Sequence, residues 1–314
     1  MKGEHRFRTA DFHYDLPDDL IAQRPASQRT ASRLLVVHRE SPAGVPALED
    51  RNFPDLADLI SPGDCLVLNT TRVRHARLIG TRASGAAAEL LLIHPAQDGT
   101  WIVLGKPGKA LRPGRRIRFG DEAEAETIEV FPDGNRRVRF TGKPVEEIMV
   151  SHGRLPLPPY ITHDPDQTDE ERYQTVYAER EGSVAAPTAG LHFTPELLAR
   201  IEGNGVTVAR IDLEVGPGTF KPVEVEDPAG HPMHPEHYTI PEEAAEQIAA
   251  ARSGGGRIWA VGTTVVRALE SSAADAGVQA GAATTRLLIT PGFRFRVVDR
   301  LVTNFHLPRS TLLM

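Results

Sequence analysis

Apolar and polar residues alternate along this chain in short blocks, and the blocks predict strands and helices in turn. Apolar runs predict buried strands at residues 33–38, 65–68, 206–215, 258–261, 287–289 and 301–303. Helical spacing and helix-start residues predict helices at 15–24, 54–60, 145–152, 195–203, 241–253 and 265–272. Because strands and helices alternate, the pattern predicts an α/β domain in which helices cover a sheet.

Residues 73–143 have a different texture. Short runs separated by Gly, Pro, Asp and Asn predict strands at 76–81, 88–93, 101–104, 116–119, 127–130 and 137–140. Six closely spaced strands with little helix are typical of a small barrel or sandwich, and we expect an antiparallel β-barrel. The predicted organisation is therefore a discontinuous α/β domain, residues 1–72 and 144–314, interrupted by a barrel domain at 73–143.

Strands of the predicted sheet repeatedly end in small polar residues. The ends are Asn69, Gly216, Gly262, Thr290 and Asn304. Loops that follow the carboxyl ends of strands are where α/β sheets usually bind ligands. We therefore expect one edge of one sheet to collect these five ends and to form the site.

The segment 183–220 has the highest density of special residues. His192 lies just before a predicted helix, with Thr194 as N-cap and Pro195 at the first helical position. The positive end of the helix dipole disfavours imidazolium, so a neutral ring able to accept a proton is expected. His306, like His192, stands beside a phenylalanine at the expected sheet edge, and both are candidate site residues.

Composition excludes several classes of protein. The single cysteine, Cys65, lies in an apolar run, which excludes a disulfide framework and a zinc–cysteine site and favours a reducing compartment. The amino-terminal residues lack the apolar core of a signal peptide, and no run reaches the length of a membrane span. We therefore expect a cytoplasmic protein that does not contact a membrane.

The net charge of −6 argues against a general polyanion binder, yet the basic residues are clustered. The densest cluster lies in the predicted barrel and comprises Lys109, Arg112, Arg115, Arg116 and Arg118. It is either a local positive surface or the solvated face of exposed strands.

Common catalytic signatures are absent: the chain has no GxGxxG, GxxxxGK[ST], HExxH or GxSxG. His231, His234 and His237 are spaced by three in a proline-rich stretch, which leaves a metal hydrolase as one alternative. That stretch offers neither helical register nor a nearby carboxylate pattern, and we expect no metal.

Long motifs resemble one family. They are YDLPDDLIAQRP (14–25), LVLNTTRVRHARLIG (66–80), LPLPPYI (155–161), YQTVYA (173–178), APTAGLHFT (186–194), VGPGTFKPV (215–223), HPMHPE (231–236), VGTTVVRALES (261–271) and TNFHLPRSTLLM (303–314). Together they resemble the S-adenosylmethionine:tRNA ribosyltransferase-isomerases of queuosine biosynthesis, in family order and over the whole chain. Two features depart from the family pattern: Glu214 stands where a histidine is usual, and the chain stops at Met314 where relatives continue.

The resemblance implies a reaction. The ribosyl part of S-adenosylmethionine is transferred to 7-aminomethyl-7-deazaguanine at the wobble position of tRNA and isomerised to epoxyqueuosine, with release of adenine and methionine. His192 is then the candidate base for the acidic ribose C5′ proton, and His306 the candidate proton donor to adenine. No cofactor is implied beyond S-adenosylmethionine, which is consumed as ribosyl donor.

The resemblance also directs the binding assignments. For S-adenosylmethionine we expect the loop residues Gly190, Gly216, Gly218, Thr219, Gly262, Thr263 and Thr264. For the tRNA and its modified base we expect Arg72, Tyr160, Phe193, Phe220, Arg115 and Arg116. The expected partner is tRNA carrying the precursor base, and the expected state is a monomer. The alternative from another class is a tRNA-binding or nucleotide-binding relative without catalysis.

Overall fold

The structure is a computed structural model, and it describes residues 7–39, 45–216, 218, 223–275 and 277–313. The chain forms two compact units. The larger consists of residues 1–72, 172–180 and 186–314, and the smaller of residues 73–171 and 181–185. This division and the sequence-based one both break after residue 72, and they differ in that residues 144–171 and 181–185 belong to the smaller unit here.

The bounds of the regular elements follow. The strands are β1 (Arg33–His38), β2 (Ala47–Asn52), β3 (Cys65–Asn69), β4 (Thr71–Val73), β5 (Arg77–Arg82), β6 (Ala87–Pro95), β7 (Trp101–Lys106), β8 (Arg116–Phe119), β9 (Ala123–Val130), β10 (Arg136–Gly142), β11 (Gly153–Arg154), β12 (Arg180–Ser183), β13 (Thr207–Leu213), β14 (Glu236–Ile240), β15 (Ile258–Val261), β16 (Ala273–Ala274), β17 (Gly277–Val278), β18 (Gly281–Thr285) and β19 (Arg300–Val302). The α-helices are α1 (Leu56–Leu59), α2 (Val145–His152), α3 (Gln167–Arg172), α4 (Pro195–Gly203), α5 (Glu242–Ser253) and α6 (Thr263–Ser271). Turns of 3-10 helix occupy Thr9–Phe12, Asp18–Leu20, Arg29–Ala31, Phe53–Asp55, Gly108–Ala110, Thr188–His192 and Pro228–Gly230.

The larger unit is built on a six-stranded sheet with the order β18-β14-β13-β3-β15-β19. β13, β3, β15 and β19 are parallel, and β14 and β18 continue the sheet in antiparallel pairings. The carboxyl ends of the four parallel strands therefore meet at one edge, which we call the carboxyl edge. The loops that begin at Thr70, Glu214, Gly262 and Thr303 leave from it.

Helices cover both faces of this sheet. Leu66 and Leu68 of β3 belong to a buried cluster with residues of α1 and α4, including Leu56 and Leu197. Side chains alternate along a strand, so the other face of β3 presents Cys65 and Val67, and α5 and α6 lie against β3, β13 and β15. A sheet buried on both faces explains the continuous apolar runs in its strands.

The smaller unit is a closed barrel. Its antiparallel strands follow the order β5-β6-β7-β10-β9-β8, and β8 pairs back to β5. Inward residues such as Leu78, Leu90, Val103, Ile117 and Phe119 are buried, as the period-2 pattern requires. The predicted fold class, an α/β unit with an inserted antiparallel β-barrel, is confirmed.

Two predictions about elements were wrong. Residues 15–24 form only one 3-10 turn at Asp18–Leu20, because Leu20 is exposed and offers no buried face. Residues 287–289 are not a strand; the adjacent strand is β18, so Thr290 does not end one. The stretch with three histidines contains β14, and His237 lies within it. Among the described residues, no helix combines the length and apolar character needed to cross a membrane.

Candidate active site

His192 lies at the end of the 3-10 turn Thr188–His192 and is held through both ring nitrogens. The amide nitrogen of Asn304 lies 3.1 Å from Nε2, and Ser32 Oγ lies 2.9 Å from Nδ1. Since the amide donates to Nε2, Nδ1 carries the proton and donates to Ser32. Phe53 covers the ring, with ring centroids 5.2 Å apart. The arrangement fixes one neutral tautomer whose lone pair is on Nε2.

Burial lowers the pKa of His192 below its usual value, and the charges of Arg172 and Arg29 lower it further. A backbone hydrogen bond involving Arg29 acts in the opposite direction. The ring is therefore neutral at pH 7, and burial is the main cause, with the nearby cations adding to it.

Two arginines fix the backbone on either side of this histidine. Arg29 donates to the carbonyl oxygens of Leu191 at 3.1 Å and Arg172 at 3.3 Å. Arg172 in turn donates to the carbonyl oxygens of Ala26, at 2.9 Å, and Ser27, at 3.3 Å. The segment that carries Ser32 and the turn that carries His192 are thus tied together.

His306 follows β19 in the same loop as Asn304. Its Nε2 lies 3.3 Å from Thr303 Oγ1, and its carbonyl oxygen accepts a hydrogen bond from the hydroxyl of Tyr14. Burial lowers the pKa of His306 as well. A ring that is neutral at pH 7 can accept a proton but is a poor donor, which weakens the predicted role of His306 as a resting acid.

Gly190 permits a close approach within the same loop. A Cβ at this position would collide with the hydroxyl of Tyr177 and would lie 2.9 Å from Thr175 Cγ2. The buried hydroxyls of Tyr177 and Thr175 have no hydrogen-bond partner among the described residues. Gly190 is therefore required for packing, and its side of the loop retains unsatisfied polar atoms.

The start of α6 provides a second set of polar atoms at the carboxyl edge. Gly262 has a φ of +93°, a conformation that glycine adopts without strain, and it lies against Ala189 of the His192 turn. Thr264 is buried, and its Oγ1 has no hydrogen-bond partner in the described part of the chain. Thr263 is half-buried beside it. An anionic group can be received by the amides at this helix start.

The loop after β13 is described only in part. No described atom would lie within 4 Å of a Cβ added at Gly216, whereas Gly218 packs closely on the ring of His234, whose Cδ2 would lie 2.7 Å from an added Cβ. Thr219 and Phe220 lie outside the described residues. Glu214, at the same strand end, donates its backbone N–H to His237 O at 2.9 Å, and its charge helps to raise the pKa of Asp212, which burial raises most.

The structure contradicts the predicted role of Phe193 as a residue that stacks on a base of the RNA. Phe193 is 0% exposed and packs edge-on against Phe53, with ring centroids 5.1 Å apart. It belongs to the core of the larger unit and has no free face. Tyr160 is a half-buried residue of the smaller unit, and burial raises its pKa.

The predicted phosphate-binding arginines differ in their surroundings. Arg116 is paired with Glu124 at 3.1 Å and Glu126 at 2.9 Å on the neighbouring strand, so its charge is offset locally. Arg115 is exposed and makes no ion pair within the described ranges. Arg72, in the larger unit, donates to Ala178 O at 2.9 Å and is half-buried.

The metal alternative has no geometric support. Among the residues that the structure describes, which include His231, His234 and His237, no group of three or more potential ligands could hold a metal ion. His237 instead has Nδ1 2.9 Å from Thr284 Oγ1, a contact between paired strands.

The sequence did not identify the two residues that hold His192. Asn304 was recognised as a strand end, but nothing indicated that its amide reaches residue 192. Ser32 is distant in sequence and carries no local signal.

The class of protein that the fold and site define is a two-unit α/β protein with an inserted barrel, whose sheet edge carries glycine loops and a neutral histidine.

Comparison with known proteins narrows this class. The profile of a family described as "Queuosine biosynthesis protein" matches residues 9–314. Proteins named S-adenosylmethionine:tRNA ribosyltransferase-isomerase are similar along the chain. One from Symbiobacterium thermophilum is 54% identical over 312 residues, covering 98% of this chain and 89% of the relative. Another, from Anaeromyxobacter sp., is 50% identical over 311 residues, which cover 98% of this chain and 89% of the relative.

A solved structure is similar as well. The crystal structure of S-adenosylmethionine tRNA ribosyltransferase from Thermotoga maritima matches with a TM-score of 0.51 and 34% identity, covering 97% of this chain and 87% of that one. The chain belongs to the family of queuosine biosynthesis proteins.

Proposed function

We propose that this chain transfers the ribosyl part of S-adenosylmethionine to 7-aminomethyl-7-deazaguanine in tRNA and isomerises it to epoxyqueuosine, releasing adenine and methionine. The observation that carries the proposal is the neutral His192, held by Asn304 and Ser32 at the carboxyl edge, in a chain that matches relatives of this name over 98% of its length. Such a transfer needs a base, and a neutral imidazole is the common one near pH 7.

The first step is removal of a proton from the ribose C5′, which the adjacent sulfonium acidifies. Nε2 of His192 holds the lone pair for this proton, and the amide of Asn304 occupies that lone pair at 3.1 Å. The substrate's C–H replaces the amide when it binds. The proton taken up makes the ring an imidazolium, and the Nδ1–H donated to Ser32 keeps the ring oriented.

S-adenosylmethionine binds at the carboxyl edge under this proposal. Its carboxylate meets the amides at the start of α6, and Thr264 Oγ1, now without a partner among the described residues, donates to it. Gly216 and Gly262 leave room for the ligand beside the main chain, whereas the space beside Gly190 is filled by Tyr177 and Thr175. No other cofactor takes part, and S-adenosylmethionine is consumed.

The second substrate is tRNA that carries the precursor base at the wobble position. Exposed cations of the barrel, Arg115 foremost, contact its phosphates, while Arg72 contributes from the larger unit. We assign the reaction to the cytoplasm and to a monomer. The single cysteine is consistent with a reducing compartment. Light scattering of the purified protein tests whether it is a monomer.

The test is adenine release from S-adenosylmethionine, measured with precursor-bearing tRNA and with the same tRNA carrying guanine. The proposal predicts stoichiometric adenine and methionine with the first RNA only. A non-catalytic tRNA-binding relative would bind both RNAs and release no adenine.

A further inference from the structure

Phe305 is an unusual residue of the carboxyl-edge loop. It is 87% exposed, although the residues before and after it, Asn304 and His306, are both half-buried parts of the candidate site. An aromatic ring that stays in water next to a site offers a flat face on which a planar ligand group can stack.

The backbone around this ring is fixed. Asn304 is tied to His192 through its side chain, and the carbonyl of His306 accepts from Tyr14. Further along, Arg309 donates its N–H to Phe12 O and accepts at its own carbonyl from Val223, both at 2.9 Å. The ring of Phe305 is therefore presented from a segment held at both ends.

Arg309 adds a strained backbone and a free cation. Its φ of +54° makes it the one non-glycine residue with positive φ in the described part of the chain. Such strain persists only where the surroundings enforce it and tends to occur at functional sites. The side chain is exposed and makes no ion pair among the described residues. Its Cα lies within about 15 Å of that of Phe305, since four residues of extended chain reach no further.

We propose that residues 305–309 bind an unpaired nucleotide of the tRNA, with Phe305 stacked on a base and Arg309 in contact with a phosphate. The inference rests on the proposed function for the identity of the RNA. A base offers a flat face and its phosphate a negative charge, and proteins bind single-stranded RNA through this pairing of aromatic ring and cation. Phe305 takes the base-stacking role predicted for Phe193, whose ring is buried.

The experiment measures binding of a fluorescent anticodon stem–loop RNA with no modified base and no S-adenosylmethionine present. Phe305→Ala should weaken binding roughly 5- to 150-fold, the range expected for one lost stack, and Phe305→Trp should retain it. Phe295→Ala is the matched control, since Phe295 is another exposed phenylalanine of the larger unit, and it should bind like the wild type.

Arg309→Gln removes the positive charge and keeps a polar, though shorter, side chain. It should lower the slope of log affinity against log salt by about 0.7, the value for one contact to a single strand. Melting temperatures within a few degrees of the wild type check that each variant folds.

Unchanged RNA affinity in Phe305→Ala overturns the inference, and so does a wild type that does not bind the stem–loop. Weaker affinity for S-adenosylmethionine with unchanged RNA binding also overturns it, because the ring would then stack on adenine. Loss of stem–loop binding in a protein that releases no adenine upholds the inference and refutes the catalytic proposal, so the two failures are distinguishable.

Discussion

Gly190→Ala is the substitution whose effect follows most directly from the packing of the site. The new methyl group would collide with the hydroxyl of Tyr177 and would lie 2.9 Å from Thr175 Cγ2 and 3.0 Å from Tyr177 Cζ. The neighbours are buried, so they cannot swing into solvent. Overpacking of this kind costs about 1–3 kcal/mol of unfolding free energy. In a unit of about 200 residues each kcal/mol lowers the melting temperature by about 2–4 °C, giving a fall of roughly 2–12 °C.

Thermal and denaturant unfolding measure this loss, and Gly203→Ala is the matched control. Gly203 lies at the end of α4, and none of the described neighbouring atoms would lie within 4 Å of an added Cβ, so the control should be neutral or slightly stabilising. Tyr177→Phe alone should not destabilise, because the hydroxyl it removes is buried without a partner among the described residues.

In the double variant the hydroxyl no longer collides, so Tyr177→Phe should recover part of the stability that Gly190→Ala loses. Thr175 Cγ2 remains close and limits the recovery. Because Gly190 lies two residues before His192, Gly190→Ala should also slow adenine release, with Gly203→Ala unaffected. A Gly190→Ala variant as stable as the wild type, or no recovery in the double variant, would refute the packing argument.

Three further predictions follow from the site and the barrel. Because the folded-state pKa of His192 is lowered, its contribution to stability is present above about pH 6.5 and lost as pH falls below that value. Denaturant unfolding should therefore show that the unfolding free energy falls more between pH 7.5 and pH 5.5 in the wild type than in His192→Gln. Equal falls in the two proteins would contradict the lowered pKa of His192. Arg115→Ala should lower the slope of log tRNA affinity against log salt by about 0.9. Arg116→Ala should lower this slope less, because the cation that it removes is already paired with Glu124. Equal slopes in the two variants would show that the ion pair does not reduce the contribution of Arg116. Thr264→Val should weaken S-adenosylmethionine binding roughly tenfold in calorimetric titration. It should leave the ligand-free protein at least as stable, since the hydroxyl has no hydrogen-bond partner among the described residues, and unchanged affinity would remove Thr264 from the site.

Local patterns were sufficient for much of the fold. The six strands of the barrel and the buried strands β3 and β15 were predicted because each is a short apolar run bounded by turn residues. Thr194 Oγ1 accepts a hydrogen bond from the N–H of Leu197 at 3.3 Å, as its N-cap position implied. β18 was missed because an edge strand of Gly, Ala and Thr pairs through its backbone and carries no apolar signal.

Only the position of the candidate site could be predicted from the sequence. Parallel strands explain why glycine loops and His192 share an edge, and strand ends can be read from a sequence. The contacts that set the protonation state of His192 cannot be read from the sequence, because Ser32 and Asn304 lie 160 and 112 residues away along the chain. Burial likewise depends on tertiary packing: Phe193 and Phe305 each adjoin a histidine, yet one is in the core and the other in water.

The central claim is that His192 is the base of a ribosyl transfer from S-adenosylmethionine. The most direct measurement is single-turnover adenine release with precursor-bearing tRNA for the wild type and His192→Ala, together with the affinity of each for S-adenosylmethionine. The account predicts a rate at least about 100-fold lower in the variant, with affinity within about tenfold of the wild type, since a lost base costs rate rather than ground-state binding. Near-normal turnover in His192→Ala would contradict it and would move the role to another group, with His306→Ala as the next variant to measure.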